Sequence, residues 1–343
     1  MTLNSGSILL RLHLRQDRVS EVEIECRRPV ASRLLIGRKA QEAAALVPLL
    51  FAVCGKAQGL AARLALGAAQ GEAVVPHPDG EAAREAAREH LWHLLSGDEH
   101  RDLLAQGTRC LSSNGDMAAF LAPLLGMAPD AWLALDADGI NAWLMERNSA
   151  IAAAFRAAHP RMDGVPRSNL ALLPALSAEQ SVTFWPRLEA SFAAQPTWQG
   201  DAAETGALAR NGSALASFAT SPLLQRRLAR LIELAAYAVG DDNHPQPGTA
   251  SAAPITAGAV ACGRALVETA RGLLMHEVTL EDERIADYQI VAPTEWNFHP
   301  QGALGPWLRG LPAASEADLH AAIRRRVEAL DPCVPWHTER LPT

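Results

Sequence analysis

The stretch "LDPCVPWHTE", residues Leu330–Glu339, carries the most specific pattern in the chain. Its Asp-Pro-Cys triplet, which ends at Cys333, has the form of half of a metal site, in which a second thiol would follow after two spacer residues. Trp336 occupies that second position instead. The stretch therefore predicts a metal site that has lost one of a pair of ligands.

Length, composition and charge exclude several classes of protein. The 343 residues are 49% hydrophobic, which is enough for a substantial core in one large domain or two. The formal net charge is −7 and no basic cluster is present, so we expect no nucleic-acid partner. No apolar segment reaches the roughly 18 residues that a membrane span needs, and Arg11 interrupts the short apolar run at the N-terminus. We therefore expect a cytoplasmic protein without a membrane span.

The periodicity of the apolar residues predicts an α+β fold that is mainly helical. Residues 7–26 alternate as a β-hairpin, and Leu273–Leu280 against Ile285–Val291 reads as a second one. The residues between are largely helical and suit a bundle, so we expect a helical bundle with N- and C-terminal β-hairpins. We expect one domain over residues 1–343, with the polar loop Gly240–Pro254 as the best candidate boundary.

The cysteines are too few and too scattered for a disulfide framework. There are five, an odd number. Each thiol is either a buried apolar side chain or a metal ligand, and burial is the ordinary state for any one taken alone. They are Cys26, Cys54, Cys110, Cys262 and Cys333.

The spacing of two histidines offers a second candidate metal site. His90 and His93 lie one helical turn apart, so their imidazoles could share a metal ion. No thiol or carboxylate pattern completes a closed site around them. We therefore interpret both as ordinary helix residues.

Several motifs, in their order along the chain, together resemble the large subunit of nickel–iron hydrogenases. That family has a Gly-Arg helix that leads into Arg-x-Cys-Gly-x-Cys, then a Pro-Arg-Gly turn, a hairpin, Pro-(Ser/Thr)-Thr-Trp-Asn and a final Asp-Pro-Cys-x-x-Cys-x-x-His. The resemblance covers residues 1–70 and 255–339. The matching stretches here are Gly37–Ala61, which places Cys54 in the middle of an Ala/Leu-rich helix, then Ala270-Arg271-Gly272, Pro293–Asn297 and Asp331–Cys333.

The departures from this family concern the metal ligands. In the family, the first thiol of each pair binds nickel and the second bridges nickel and iron. The resemblance places the first members at Cys54 and Cys333, but the bridging positions are Ala57 and Trp336. A histidine and a proton-passing acid of the family also fall at non-equivalent residues, Ala61 and Ser32. Since nickel needs several soft ligands, the resemblance implies no nickel and argues against an active hydrogenase or hydrogen sensor.

Other parts of the family's site are retained. The resemblance implies that Arg271 and Thr294 donate hydrogen bonds to the cyanide ligands of an iron dicyanide–carbonyl unit, Fe(CN)2CO, and that Asp331 orients the C-terminal loop beside it. A guanidinium and a hydroxyl suit the negative charge on cyanide nitrogens. Cys54 and Cys333 would hold this iron, although both match nickel ligands of the family. Ala270 stands where the family has proline.

This mixture of lost and retained residues resembles the hydrogenase expression/formation proteins of the HupK/HoxV type. The resemblance implies a non-catalytic maturation scaffold that holds Fe(CN)2CO transiently and passes it to the large-subunit precursor through a small chaperone of the HypC type. Only four residues follow Glu339, so we expect no cleavable extension of the kind that precursors lose after nickel insertion. Trp336 would fill the volume of nickel and its thiolate.

Two alternatives to the scaffold remain open from the sequence. One is a metal-free interaction protein that binds maturation partners, and the other is an unusual hydrogenase or sensor. Two further residues, Cys262 near the Arg271 turn and His337 beside Trp336, stay open as additional ligands.

Overall fold

The computed structural model describes most of the chain. The described residues are 6–27, 31–51, 53–72, 80–96, 100–146, 148–158, 165–166, 170–215, 221–241, 246–257 and 260–342. Within them, no helix is long and apolar enough to cross a membrane.

Nine strands form three sheets among these residues. The sheet orders are β2-β1-β9, β3-β4 and β5-β6-β7-β8. The strands are β1 (Ser7–Arg15), β2 (Arg18–Arg27), β3 (Ala171–Leu172), β4 (Ala203–Glu204), β5 (Ala250–Ala257), β6 (Val260–Thr269), β7 (Gly272–Glu281), β8 (Arg284–Val291) and β9 (Trp336–Pro342).

Fifteen α-helices carry the rest of the described fold, after a short 3-10 helix at Ala31–Leu35. The longest is α12, whose buried face lies at the centre of the largest core. The helices are α1 (Ala40–Leu50), α2 (Gly55–Ala69), α3 (Gly80–Leu95), α4 (Arg101–Ser112), α5 (Met117–Leu125), α6 (Pro129–Leu133), α7 (Ala137–Met145), α8 (Ala150–Ala158), α9 (Ala178–Phe184), α10 (Ala190–Ala194), α11 (Ala207–Leu215), α12 (Pro222–Val239), α13 (Pro293–Asn297), α14 (Leu304–Leu308) and α15 (Glu316–Leu330).

The N-terminal sheet brings the two ends of the chain together. Ile8, Leu10 and Leu12 alternate into the core along β1, which confirms the predicted hairpin of β1 with β2. The last strand, β9, pairs in parallel with β1, and Trp336 lies opposite Ile8. This pairing fixes the segment that carries Cys333 against the core.

The β5-β6-β7-β8 sheet has two more strands than the sequence pattern predicted. The hairpin of β7 and β8 is confirmed, but β5 and β6 extend the sheet, and β5 begins at Ala250 inside the predicted boundary loop. Six consecutive residues of β6 are buried, so this strand lacks the alternation by which a half-exposed strand is recognised. The largest core contains side chains from before and after the loop, such as Leu231 and Trp307.

The prediction that Cys54 lies in the middle of a helix is wrong. Helix α1 ends at Leu50 and α2 begins at Gly55, so Cys54 lies in the connection, at the N-cap position of α2. Pro48 lies in the last turn of α1, and a Cβ atom on Gly55 would lie 2.8 Å from the Pro48 carbonyl oxygen. The two helices therefore fold closely on each other, and Cys54 is presented at a helix start.

A cluster of buried charged side chains connects three helices to the end of β6. The Glu233 carboxylate accepts hydrogen bonds from Arg210 at 2.7 and 2.9 Å and from Asn211 at 3.1 Å, and lies 2.7 Å from His90 Nε2. Arg210 also donates to Glu268 at the end of β6. Each buried charge is thus paired, which keeps its burial from being strongly unfavourable. The cluster ties α3, α11 and α12 to the sheet.

Candidate functional site

The two cysteines that the sequence predicts as metal ligands lie close enough for their charges to interact. Cys54 precedes α2 and Cys333 follows α15, and both are partly exposed. Burial of the thiol group, reinforced by the charge of Cys333, raises the pKa of Cys54 to about 12, although Arg271 opposes this rise. A metal that binds Cys54 must therefore displace a proton from it.

Thr294 contacts the sulfur of Cys333 directly. Its Oγ1 lies 3.0 Å from Cys333 Sγ, and the backbone N–H of Cys333 donates to the same oxygen at 3.4 Å. Since that oxygen already accepts the N–H, its own proton is free to point at the sulfur. The role of Thr294 toward cyanide stays a prediction, and its contact in this structure is with the thiol.

Arg271 lies between two carboxylates. Its Nε donates to Asp331 Oδ1 and its Nη2 donates to Glu89 Oε2, both at 3.0 Å. Burial alone would lower the pKa of Arg271, but Asp331, Glu89 and the two cysteines outweigh it and raise the pKa above its ordinary value. Arg271 is therefore a fixed cation, and these two bonds do not use Nη1.

The turn that presents Arg271 is held by the Pro293–Asn297 motif. The side chain of Asn297 donates from Nδ2 to the Arg271 carbonyl at 3.2 Å and accepts the Thr205 N–H at 3.0 Å. Gly272 has φ +126°, and a Cβ there would lie 2.6 Å from the Gly206 nitrogen. Only glycine allows this approach. Asn297 of the Pro293–Asn297 motif therefore holds the turn formed by Ala270-Arg271-Gly272.

Helix α3 contributes three residues that the sequence did not assign to this site, although His93 was considered as a metal ligand and interpreted as an ordinary helix residue. Glu85, Glu89 and His93 are spaced by four residues and share one helical face, a signal that was present in the sequence. His93 Nε2 lies 2.7 Å from Asp331 Oδ1, whereas His90 contacts Glu233. The two histidines therefore have separate partners. Burial lowers the pKa of His93, and Asp331 offsets only part of this effect.

Asp331 is the residue on which the site's charges converge. It caps α15 with a left-handed φ of 56°, which Asp tolerates better than most residues. Burial would raise its pKa, but Arg271 and His93 outweigh burial and hold the pKa well below its ordinary value. Its Oδ2 is buried and has no hydrogen-bond partner among the described residues. Asp331 is therefore ionised and has one oxygen available.

A carboxylate accepts the backbone N–H of Ala57, the first of the two positions at which the expected bridging thiol is absent. Glu85 accepts the N–H groups of Lys56 and Ala57, each at 3.0 Å. These are the free donors at the start of α2, and a carboxylate suits that helix end. The α2 N-terminus therefore has an anion supplied by the protein beside Cys54.

A cavity of about 580 Å³ opens beside these residues. Trp336 forms part of its wall and stacks on His320 of α15, with ring centroids 5.1 Å apart. Trp336 therefore forms part of the wall of the cavity, and the expectation that it fills the volume of nickel and its thiolate stays a prediction. Other lining residues are Val53, Arg88, Glu89, Trp92, His93, Arg271 and Asp331.

Cys262 and His337, which the sequence left open as additional ligands, have different neighbours from those of Cys54 and Cys333. Cys262 is buried in β6, where it accepts a hydrogen bond from Thr279 and its pKa is raised by burial and by Glu277. His337 is exposed on β9. Among the described residues, no group of three or more His, Cys, Asp or Glu side chains is placed to hold a metal ion. The Cys54 and Cys333 thiols therefore remain the candidate ligands for a metal at this site.

His276 lies under the site, on β7, and is fully buried. It contacts Tyr288 Oη at 2.8 Å and Gln58 Oε1 at 2.9 Å, and burial lowers its pKa to about 3. Between about pH 6.5, the ordinary histidine value, and pH 3, the unfolded chain binds a proton that the folded protein excludes. This contribution to stability is complete above pH 6.5 and is lost as the pH falls.

We expect the free energy of unfolding to fall by up to about 1.4 kcal/mol per pH unit from His276 in this window. Denaturant unfolding from pH 7 to pH 4 measures the slope. The His276→Gln variant should have a shallower slope than the wild type, whereas His337→Gln, on the surface, should keep it. Equal slopes for His276→Gln and the wild type would show that His276 does not carry this dependence.

Comparison with solved structures defines the class of fold. The chain aligns over 93% of its length, and 94% of the other chain, with the Ni-Fe-Se hydrogenase from D. vulgaris Hildenborough in the reduced state, at TM-score 0.54 and 17% identity. The hydrogenase from Desulfomicrobium baculatum in a reduced, active form gives TM-score 0.54 and 14% identity, with 94% and 95% covered. The described fold is thus that of a nickel–iron hydrogenase large subunit, as the sequence predicted.

Sequence comparison narrows this class. The nickel-dependent hydrogenase family matches residues 212–336. The hydrogenase expression/formation protein HoxV of Cupriavidus necator is 36% identical, with 96% of this chain and 95% of the relative covered. The protein HupK of Azotobacter vinelandii is 30% identical, with 98% of each covered. The chain belongs to this family of hydrogenase expression/formation proteins.

Proposed function

We propose that this protein is a non-catalytic scaffold in hydrogenase maturation, which carries the Fe(CN)2CO unit as transient cargo. The observation that supports it best is the grouping of Cys54, Cys333, Arg271 and Thr294, which come from four separate segments, while both bridging positions lack a thiol. A site with two thiols suits one metal better than two. The cargo supplies its own cyanide and carbonyl ligands, so it needs few from the protein.

The chemistry of the donor set fits this cargo. Thiolates are the soft ligands that iron with cyanide and carbonyl prefers. Arg271 supplies a fixed positive charge beside both thiols, and its Nη1 is free of the bonds to Asp331 and Glu89. The Thr294 hydroxyl lies on the Cys333 sulfur and can donate either to it or to a ligand next to it. We assign Asp331 the role of fixing Arg271 and the C-terminal loop.

The cavity beside the site provides a route for transfer. It is open to solvent and is lined by Arg271 and Asp331 and by Val53 and Pro332, the chain neighbours of the two cysteines, so we propose that a partner approaches the site from this side. We propose the hydrogenase large-subunit precursor as the recipient and a small chaperone of the HypC type as the intermediary. Two thiolates hold a metal less firmly than four, which suits cargo that must leave.

Metal analysis of protein purified without oxygen tests this function. When the protein is produced in a cell that expresses the maturation genes, we expect iron bound in a substantial fraction of chains and no stoichiometric nickel. The Cys54→Ala/Cys333→Ala double variant should lose the iron. Stoichiometric nickel together with hydrogen-dependent dye reduction would instead favour the hydrogenase or sensor alternative.

One observation favours the metal-free interaction protein as a second candidate. Several polar groups of the site already have protein partners, since Thr294 pairs with Cys333 and Arg271 pairs with Asp331 and Glu89. Apart from Asp331 Oδ2, which has no partner among the described residues, these groups are paired without cargo. Under this alternative, the double cysteine variant would keep its partners and its effect on maturation.

A further inference from the structure

A row of buried polar side chains runs from strands β7 and β8 to the sulfur of Cys54. His276 lies between Tyr288 and Gln58, and Gln58 Nε2 lies 3.7 Å from Cys54 Sγ. Tyr288, His276 and Gln58 are exposed by 1%, 0% and 1%. Buried polar groups are costly unless all are satisfied, and here each satisfies the next.

The direction of these hydrogen bonds follows from the protonation of His276. Because burial keeps the imidazole neutral, one ring nitrogen donates and the other accepts. Gln58 Oε1 faces Nε2, so Nε2–H donates to it, and Nδ1 accepts the Tyr288 O–H. The remaining amide group of Gln58 then points its N–H at Cys54. The reverse order would present the amide oxygen of Gln58 to the sulfur in place of this N–H.

We propose that Gln58, held in this orientation by His276 and Tyr288, is a positioning residue that fixes the direction of the Cys54 sulfur. An N–H donor orients the lone pairs of the sulfur to which it bonds, so the Cys54 side chain is held in one direction at the start of α2. The inference rests on the proposed function only for the identity of the cargo. It assigns Gln58 a role that the resemblance to hydrogenases did not supply.

The chain offers a matched control at the other thiol. Cys333 has its own donor, Thr294, which belongs to α13 and has no part in the row from Tyr288. Replacing Gln58 should therefore affect Cys54 more than Cys333, and replacing Thr294 should affect Cys333 more than Cys54. Each cysteine serves as the internal reference for the other.

Alkylation of the metal-free protein measures this effect without depending on cargo. With iodoacetamide at a fixed pH, followed by mass spectrometry of the two peptides, Gln58→Leu should slow modification of Cys54 about tenfold relative to Cys333, as expected for loss of a hydrogen bond to a charged group. Thr294→Val should shift the ratio the other way. An unchanged ratio in Gln58→Leu would overturn the proposal.

A rescue experiment separates orientation from simple packing. His276→Phe should slow Cys54 as Gln58→Leu does, because Gln58 can then rotate. His276→Gln should restore the rate, since its amide N–H can donate to Gln58 Oε1. If His276→Phe does not fold, nitrogen-15 NMR of the wild type still tests the orientation: a proton on Nε2 of His276 is expected, and a proton on Nδ1 would overturn the inference.

The outcome is distinguishable from failure of the proposed function. If the purified protein lacks iron but Gln58→Leu slows Cys54 selectively, the positioning role stands and the cargo assignment fails. If iron is bound and the alkylation ratio is unchanged, the cargo stands and the positioning role fails.

Discussion

Replacing Cys54 or Cys333 by alanine is expected to abolish the protein's contribution to hydrogenase maturation. Each thiol is one of only two that the site's electrostatics link to Arg271. One thiolate and the polar groups of the site do not make a metal-binding pair, so the single variants should be as defective as the double variant. In a strain that lacks the wild-type gene, we expect hydrogenase activity at least tenfold below that of the complemented strain.

Cys110→Ala is the matched control for this experiment. Cys110 is also free and partly exposed, but it lies on α4 and packs against the main core. Its replacement should leave maturation intact. Full complementation by Cys54→Ala would contradict the scaffold and support the metal-free interaction protein.

Replacing Arg271 by methionine is expected to be the most destabilising single change in the site. Asp331 and Glu89 would lose their common cation while Asp331 remains only 4% exposed. Removing one partner of a buried ion pair costs about 3–5 kcal/mol, because the other charge is left uncompensated. We expect a loss near the lower end, about 3 kcal/mol, in denaturant unfolding of metal-free protein, since His93 still faces Asp331.

Two control variants show whether the charge of Arg271 or its geometry is responsible for this loss of stability. Arg271→Lys keeps the charge but loses the planar fork that reaches both carboxylates, so we expect a smaller loss of stability. Arg324→Met removes an exposed pair with Glu328, in which the Arg324 side chain is 58% exposed, and should cost less than about 1 kcal/mol. Equal losses in Arg271→Met and Arg324→Met would contradict the placement of Arg271 between buried carboxylates.

The N-terminal hairpin was the most predictable part of the fold. Strand β1 alternates buried and partly exposed residues because one face of its sheet is covered, and that alternation is visible in the sequence as alternating apolar residues. The motif around Arg271 was visible as well. What it does in the structure could not be read, since the turn depends on Asn297 and on the approach of Gly206 to Gly272.

The missed parts have physical reasons of their own. Strand β6 is buried on both faces, so its pattern resembles any apolar segment. The break before α2 is set by tertiary packing of Gly55 on Pro48, which overrides the helical propensity of the Ala/Leu run. Glu89 and His93 reach Arg271 and Asp331 across long sequence separations that no local pattern records.

Infrared spectroscopy of the anaerobically purified protein tests the central claim most directly. Cyanide and carbonyl ligands on iron absorb where protein groups do not, so the cargo is seen without reconstitution. In protein from cells that express the maturation genes, we predict cyanide and carbonyl stretching bands that disappear in the Cys54→Ala/Cys333→Ala variant and on transfer to the large-subunit precursor. The absence of these bands from the wild-type protein, together with the absence of iron, would contradict the account.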